Sequence, residues 1–134
     1  MEDVLVGRIM STDLHTVSPE TLVEETAQKM LKNEIGSVVV VGSDNQLIGI
    51  MTTTDFVNVV AEKQPKDETP VKTYMTTDVV TATAQESIRD VADTMLKHGF
   101  HHMPVVDETE GVIGMISTTD LAAYISHVQT PSPS

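Results

Sequence analysis

Apolar positions along the chain change their spacing in a set order, and that order runs through twice. Leu22, Val23, Ala27, Met30 and Leu31 recur at helical spacing and predict an amphipathic helix to about Asn33, with these residues on its buried face. Ser37 to Val41 is a β-branched run that predicts a buried strand. Gly42-Ser43-Asp44-Asn45 is a turn sequence, and Leu47 to Met51 predicts the second strand of a hairpin. A further helix is expected from about Thr53 to Ala61. Upstream, Val4 to Met10 suits a short leading helix and His15 to Val17 a short strand. Ser18-Pro19-Glu20 then turns the chain, and Thr21 with Glu24 has the spacing of a capping box.

The second pass begins 65 residues later. Met10 matches Met75, Thr12-Asp13 match Thr77-Asp78, Met30-Leu31-Lys32 match Met95-Leu96-Lys97, and Thr53-Thr54-Asp55 match Thr118-Thr119-Asp120. No gap is needed from residue 6 to residue 57. Val79 to Thr81 predicts the short strand, and Ser87 with Asp90 resembles the helix cap. Ile88, Val91, Ala92, Met95 and Leu96 predict the buried stripe, with Gly99 at its C-terminal end. Met103 to Val106 and Val112 to Ile116 predict the hairpin, and Leu121 to Ile125 lie in the last helix. Two copies at this period point to a pseudo-twofold pair sharing one core, not to a solenoid. The expected division is repeat one at 5–62, a charged linker with two prolines at 63–70, repeat two at 71–127 and a disordered tail at 128–134.

Composition narrows the function. The 134 residues carry a net charge of −12 and lack any Lys/Arg cluster, which argues against nucleic acid and against an anionic membrane surface. No run is long or apolar enough to cross a membrane, and the acidic start lacks a signal peptide's basic region. A cytoplasmic protein is expected. With no cysteine, disulfides and thiolate metal sites are excluded. No activated nucleophile, Walker-type glycine loop or convincing metal-ligand set is present, so catalysis is not expected. His98, His101 and His102 are too loosely spaced to read as a metal site.

A β-α-β-β-α unit that occurs twice and closes each time on Gly-x-x-Thr/Ser-x-x-Asp resembles the cystathionine β-synthase (CBS) domain. The residues that carry the resemblance are Met10 and Met75, Thr16-Val17-Ser18-Pro19, Gly36 to Val41, and Gly99 to Asp107 around His101-His102-Met103-Pro104. The tandem looks like a CBS pair, or Bateman module, of α+β class, and here a stand-alone one. The resemblance implies regulatory sensing of adenosine-containing ligands in clefts between the repeats. AMP, ADP, ATP, S-adenosylmethionine and NAD(H) are the ligands it implies. It also implies a disc-like homodimer and a regulated protein partner, with no cofactor required. The competing expectation is a structural interaction or oligomerisation domain whose ligand sites have degenerated.

Carried over residue by residue, the resemblance assigns Asp55 and Asp120 to ribose hydroxyls. An ionised carboxylate can accept from both hydroxyls at once. Thr52 and Thr54 would serve one ligand and Ser117 and Thr119 the other, at helix N-termini that attract phosphate. The same spacings also describe helix caps worth about 1 kcal/mol without any ligand. His101 or His102 would face a ligand phosphate, and the family pattern favours His101, reaching the ligand held by Asp55. Thr16 and Ser37 complete the polar set, and repeat one has Gly36 and Ser37 where repeat two has the histidines. The site around Asp120 is therefore expected to take a less charged ligand or to be empty. Val17, Val39, Met51, Ala82, Pro104 and Ile116 are the apolar candidates for an adenine, and each serves equally as plain core.

Overall fold

The structure is a computed structural model that describes residues 4–129. Its chain divides into two units that do not coincide with the two repeats in sequence. One unit takes residues 14–79 and 108–112, and the other takes the leading segment to Asp13 with residues 80–107 and the chain from Ile113 onward.

The repeat-one unit is a three-stranded sheet with two helices. Strand β1 (Thr16–Val17) pairs parallel to β2 (Ser37–Val41), with Thr16 opposite Val39 and Val17 opposite Val40. Strand β3 (Leu47–Thr52) runs antiparallel to β2 in a register that sets Ser37 against Thr52 and Val39 against Ile50. Helices α2 (Val23–Asn33) and α3 (Thr53–Ala61) supply Val23, Met30 and Val59 to a core with Val17, Val38, Val40, Met51 and Val71. The α2 stripe is narrower than the apolar pattern suggests. Thr26 is buried and returns its hydroxyl to the Leu22 carbonyl at 3.0 Å, whereas Leu31, expected inside, is 80% exposed. Buried positions Val23, Thr26 and Met30 follow the 3–4 spacing of one face, and Leu31 lies one residue round the helix from Met30.

The N-terminus of α2 is also satisfied differently from the capping box expected at Thr21 and Glu24. The helix begins at Val23, and the Thr21 hydroxyl accepts from the Ser18 amide at 3.1 Å. The free amides of Val23 and Glu24 donate to the Thr69 and Lys66 carbonyls at 2.8 and 3.1 Å. The charged stretch between the repeats thus supplies the backbone acceptors that the first turn lacks. Just beyond it, the Val71 amide donates to Thr21 and that of Lys72 to Pro19, while Thr76 and Ile50 exchange both amide bonds at 2.9 Å.

The repeat-two unit repeats this arrangement with the start of the chain. It contains α1 (Val6–Ile9), α4 (Ile88–His98), β4 (His102–Asp107), β5 (Gly111–Ser117) from Ile113 onward and α5 (Thr118–Gln129), with β4 and β5 hydrogen-bonded to each other. Val6 donates to Glu86, Gly7 to Ala84 and Ile88 to Val4, and Ser11 and Met115 exchange both amide bonds. Each of these bonds has its counterpart 65 residues away in the other unit. Val6 and Val71, the anchors of the two leading segments, are both fully buried. Around Val6 the core is Ala82, Val91, Met95, Met103, Val105 and Ile116. Leu96, expected in this core, is 84% exposed for the same geometric reason as Leu31.

Two local differences separate the repeats. The strand expected at Val79 to Thr81 is reduced to a single bridge in which Ala82 pairs parallel with Val105. In repeat one the Val39 amide donates to the His15 carbonyl at 3.2 Å, and the residue in Val39's place is Pro104, which has no amide to give. The α4 cap, in contrast, forms as expected, the Ser87 hydroxyl accepting from the Asp90 amide at 3.1 Å, and Gly99 closes the helix at φ 72°. Helix α5 continues to Gln129, into the stretch expected as a tail, and residues 130–134 lie outside the described residues.

Gly111 and Gly99 both sit at positive φ but differ in surroundings. A Cβ on Gly111 would overlap the Asn45 carbonyl group, whose own side chain donates to the Glu110 and Val112 carbonyls at 3.1 and 2.6 Å. Gly99 has open space around it. Gly111→Ala is expected to destabilise the fold by about 2–4 kcal/mol and Gly99→Ala by about 1–2 kcal/mol, the difference being overlap added to backbone strain. Urea unfolding of the two variants measures this, and equal losses would show that the Asn45 contact yields without cost.

Candidate functional site

Each unit has one junction where a buried strand ends and a helix begins at once. In the repeat-one unit β3 ends on Thr52 and α3 opens on Thr53. The Asp55 carboxylate turns back over this step, its Oδ2 accepting from the Thr52 amide at 2.8 Å and the Thr52 hydroxyl at 3.1 Å. In the repeat-two unit Ser117 and Asp120 make the same pair of bonds at 2.9 and 3.0 Å, and the Asp120 amide donates back to the Ser117 hydroxyl at 3.1 Å. The capping role of both carboxylates is thus realised.

The second carboxylate oxygen distinguishes the two sites. Asp55 Oδ1 accepts from the Thr76 hydroxyl at 3.2 Å, and Asp55 is 7% exposed. Asp120 is partly exposed, and among the described residues no donor is bonded to its Oδ1. Thr76 is absent from the residues singled out in the sequence. Its signal was the duplication: Met75-Thr76 repeats Met10-Ser11, a hydroxyl placed just after the paired methionine.

The other candidates fall into two groups. Val17, Val39, Met51, Ala82, Pro104 and Ile116 are all buried, most of them in the hydrophobic cores. Thr54 and Thr119 are exposed in the first turns of α3 and α5. Thr16 is half-buried in β1, and its carbonyl accepts from the Lys29 ammonium at 2.7 Å. Ser37 is buried opposite Thr52, at the edge of the first junction.

His101 is exposed and its carbonyl accepts the Thr118 amide at 3.0 Å, as the Gly36 carbonyl accepts from Thr53 at 3.3 Å. His102 therefore stands in the second junction where Ser37 stands in the first. It is half-buried and within electrostatic reach of Asp120. Burial pushes its imidazole below the ordinary 6.5, the neighbouring His101 adds to the shift, and the Asp120 carboxylate opposes it. His98 turns elsewhere and stacks on Phe100 with ring centroids 5.4 Å apart. Among the described residues no three metal-ligating side chains converge. No described helix is long and apolar enough to cross a membrane.

The sequence profile of the CBS domain matches residues 6–62 and again residues 71–127. The chain belongs to the CBS-domain family. It is 34% identical to an uncharacterised 17.7 kDa protein of Acidianus ambivalens over 93% of this chain and 75% of that one. It is 30% identical to a homoserine O-acetyltransferase of Methanosphaerula palustris, over 93% of this chain but only 25% of the enzyme. The chain spans 46%, 62% and 25% of the length of three of the curated relatives it matches. Among solved structures, the CBS domain pair of protein MJ0100, in complex with 5′-methylthioadenosine and S-adenosylmethionine, superposes with a TM-score of 0.86. It is 26% identical, over 96% of this chain and 100% of that one. The α+β architecture of two β-α-β-β-α repeats is that of a CBS pair.

The His102 shift has a sign that can be checked. Between 6.5 and the lower folded value the unfolded chain binds more protons, so stability is complete above 6.5 and falls as pH drops through that window. Melting temperature measured from pH 7.5 down to 5.5 is expected to fall less steeply in His102→Gln than in the wild-type chain. Parallel curves for the two proteins would mean that the imidazole protonates freely in the fold.

Proposed function

We propose that this CBS pair is a regulatory module that binds adenosine-containing ligands, with Asp120 and Asp55 receiving the ribose hydroxyls. The observation that carries this is the second junction. Its cap holds the Asp120 carboxylate in place through Oδ2, and in this partly exposed residue Oδ1 is left for a donor from outside the chain. A fixed acceptor of this kind suits a vicinal diol, which donates two hydroxyls to one carboxylate. The first turn of α5 then offers the Thr119 amide and hydroxyl to a phosphate or carboxylate of the ligand. The adenosyl ligands in the MJ0100 CBS pair support the same class of ligand here. AMP, ADP, ATP, S-adenosylmethionine and NAD(H) are the candidates within it. The module works by binding and not by turnover, and its ligand acts by favouring one of two arrangements that a partner distinguishes.

A second reading, an oligomerisation domain, has its own observation. Exposed apolar residues recur at repeat-related positions: Leu31 and Leu96 at 80% and 84%, Val60 and Ile125 at 76% and 51%. A homodimer formed through these helices would cover them, and it is compatible with ligand binding.

Isothermal calorimetry of the full chain with AMP, ATP, S-adenosylmethionine and NADH tests the first reading. Binding is expected for at least one ligand. Asp55→Ala combined with Asp120→Ala should weaken it by about tenfold or more, the loss of hydrogen bonds to charged groups. No heat from any ligand, with the circular dichroism spectrum intact, would leave the oligomerisation reading.

A further inference from the structure

Resting on the ligand-binding reading, we infer that Thr76 is a latch on Asp55, so that the two repeat-related sites fill in order, Asp120 before Asp55. The inference starts from an imbalance in donors. Asp55 accepts from the Thr52 amide and hydroxyl through Oδ2 and from the Thr76 hydroxyl at 3.2 Å through Oδ1, with a longer contact of 3.5 Å from Thr76 to Oδ2. Three of the roughly four acceptor positions on its carboxylate are taken from within the chain, and the residue is buried. Asp120 has the same two bonds from Ser117 and is the more exposed. Ser11, which occupies Thr76's place in the other unit, pairs its backbone with Met115 as Thr76 does with Ile50. Its side chain is exposed and makes no bond to Asp120.

A diol arriving at Asp120 meets an available oxygen. The same diol arriving at Asp55 brings two hydroxyls to the one acceptor position left on Oδ1, so it must displace the Thr76 hydroxyl. That exchange returns one hydrogen bond to a charged acceptor for each one gained, which removes about tenfold from the affinity. The latch can open without unfolding anything. Thr76 is exposed, and its backbone stays paired to Ile50 while its hydroxyl rotates to water. Threonine in place of serine also makes the latch stiffer, because β-branching restricts χ1.

The test is calorimetry on the full chain with AMP and S-adenosylmethionine, using Asp120→Ala to isolate the first site. Asp120→Ala is expected to bind weakly. Adding Thr76→Val should raise its affinity about tenfold, and Thr76→Ser, which keeps the hydroxyl but loses the β-branch, should raise it by less. Equal affinities with and without Thr76→Val, or a wild-type chain that fills Asp55 first, would overturn the latch while leaving ligand sensing in place. Absence of binding by every variant would overturn both readings together. A melting cycle checks the contact itself without ligand. Thr76→Val should lower the melting temperature by about 3 °C in the wild-type background and not in Asp55→Ala, which removes the acceptor. The same drop in both backgrounds would mean that Thr76 does not act through Asp55.

Discussion

A β-α-β-β-α repeat leaves backbone groups that it cannot satisfy by itself, and the fold depends on who satisfies them. The first turn of α2 has free amides, the turn before it has free carbonyls, and β3 has an open edge. In this chain the answer comes from residues 66–76, which follow repeat one and lead into repeat two. The described start of the chain, from Val4 to Ser11, does the same for repeat two through bonds that have their counterparts 65 residues away. A buried valine, Val6 or Val71, fixes each leading segment at its centre. Buried backbone groups left unpaired would each cost about 1–3 kcal/mol, so these few bonds weigh heavily against a net stability of roughly 5–15 kcal/mol.

The strand-to-helix junctions build on that frame. Each one uses a carboxylate three residues on to hold the last strand residue. Capping occupies one oxygen and orients the other. The two junctions share this geometry and differ in their neighbours: Ser37 lies opposite Thr52 and Thr76 bonds Asp55, while His102 is within electrostatic reach of Asp120. Duplicated backbones thus carry sites of unequal chemistry, a difference made by side chains and not by the fold.

Much of this could be read from the residues. The period, the hairpins, the α4 cap at Ser87 and the paired carboxylates follow from spacing alone, because each is a local pattern repeated at a fixed offset. What escaped reading was decided at long range. Thr21 and Glu24 have capping-box spacing, but the Lys66 and Thr69 carbonyls reach the amides instead. Leu31 and Leu96 belong to apolar stripes wider than the surface each helix buries. Thr76 has no local signal as a site residue, since its partner lies 21 residues away. The lost strand at Val79 to Thr81 was legible in principle, because aligning the repeats sets Pro104 against an amide that the ladder needs.

The reciprocal docking of the leading segments also bears on descent. Suppose a chain held one repeat only. Its own leading segment would lie on the wrong side of its sequence to complete its own fold, and two such chains would have to trade segments to fold at all. Joining the two copies end to end turns that obligatory exchange between molecules into an internal one, independent of concentration. Once fused, the copies need no longer remain identical. Each junction was then free to change its neighbours while the backbone contract between the halves stayed the same.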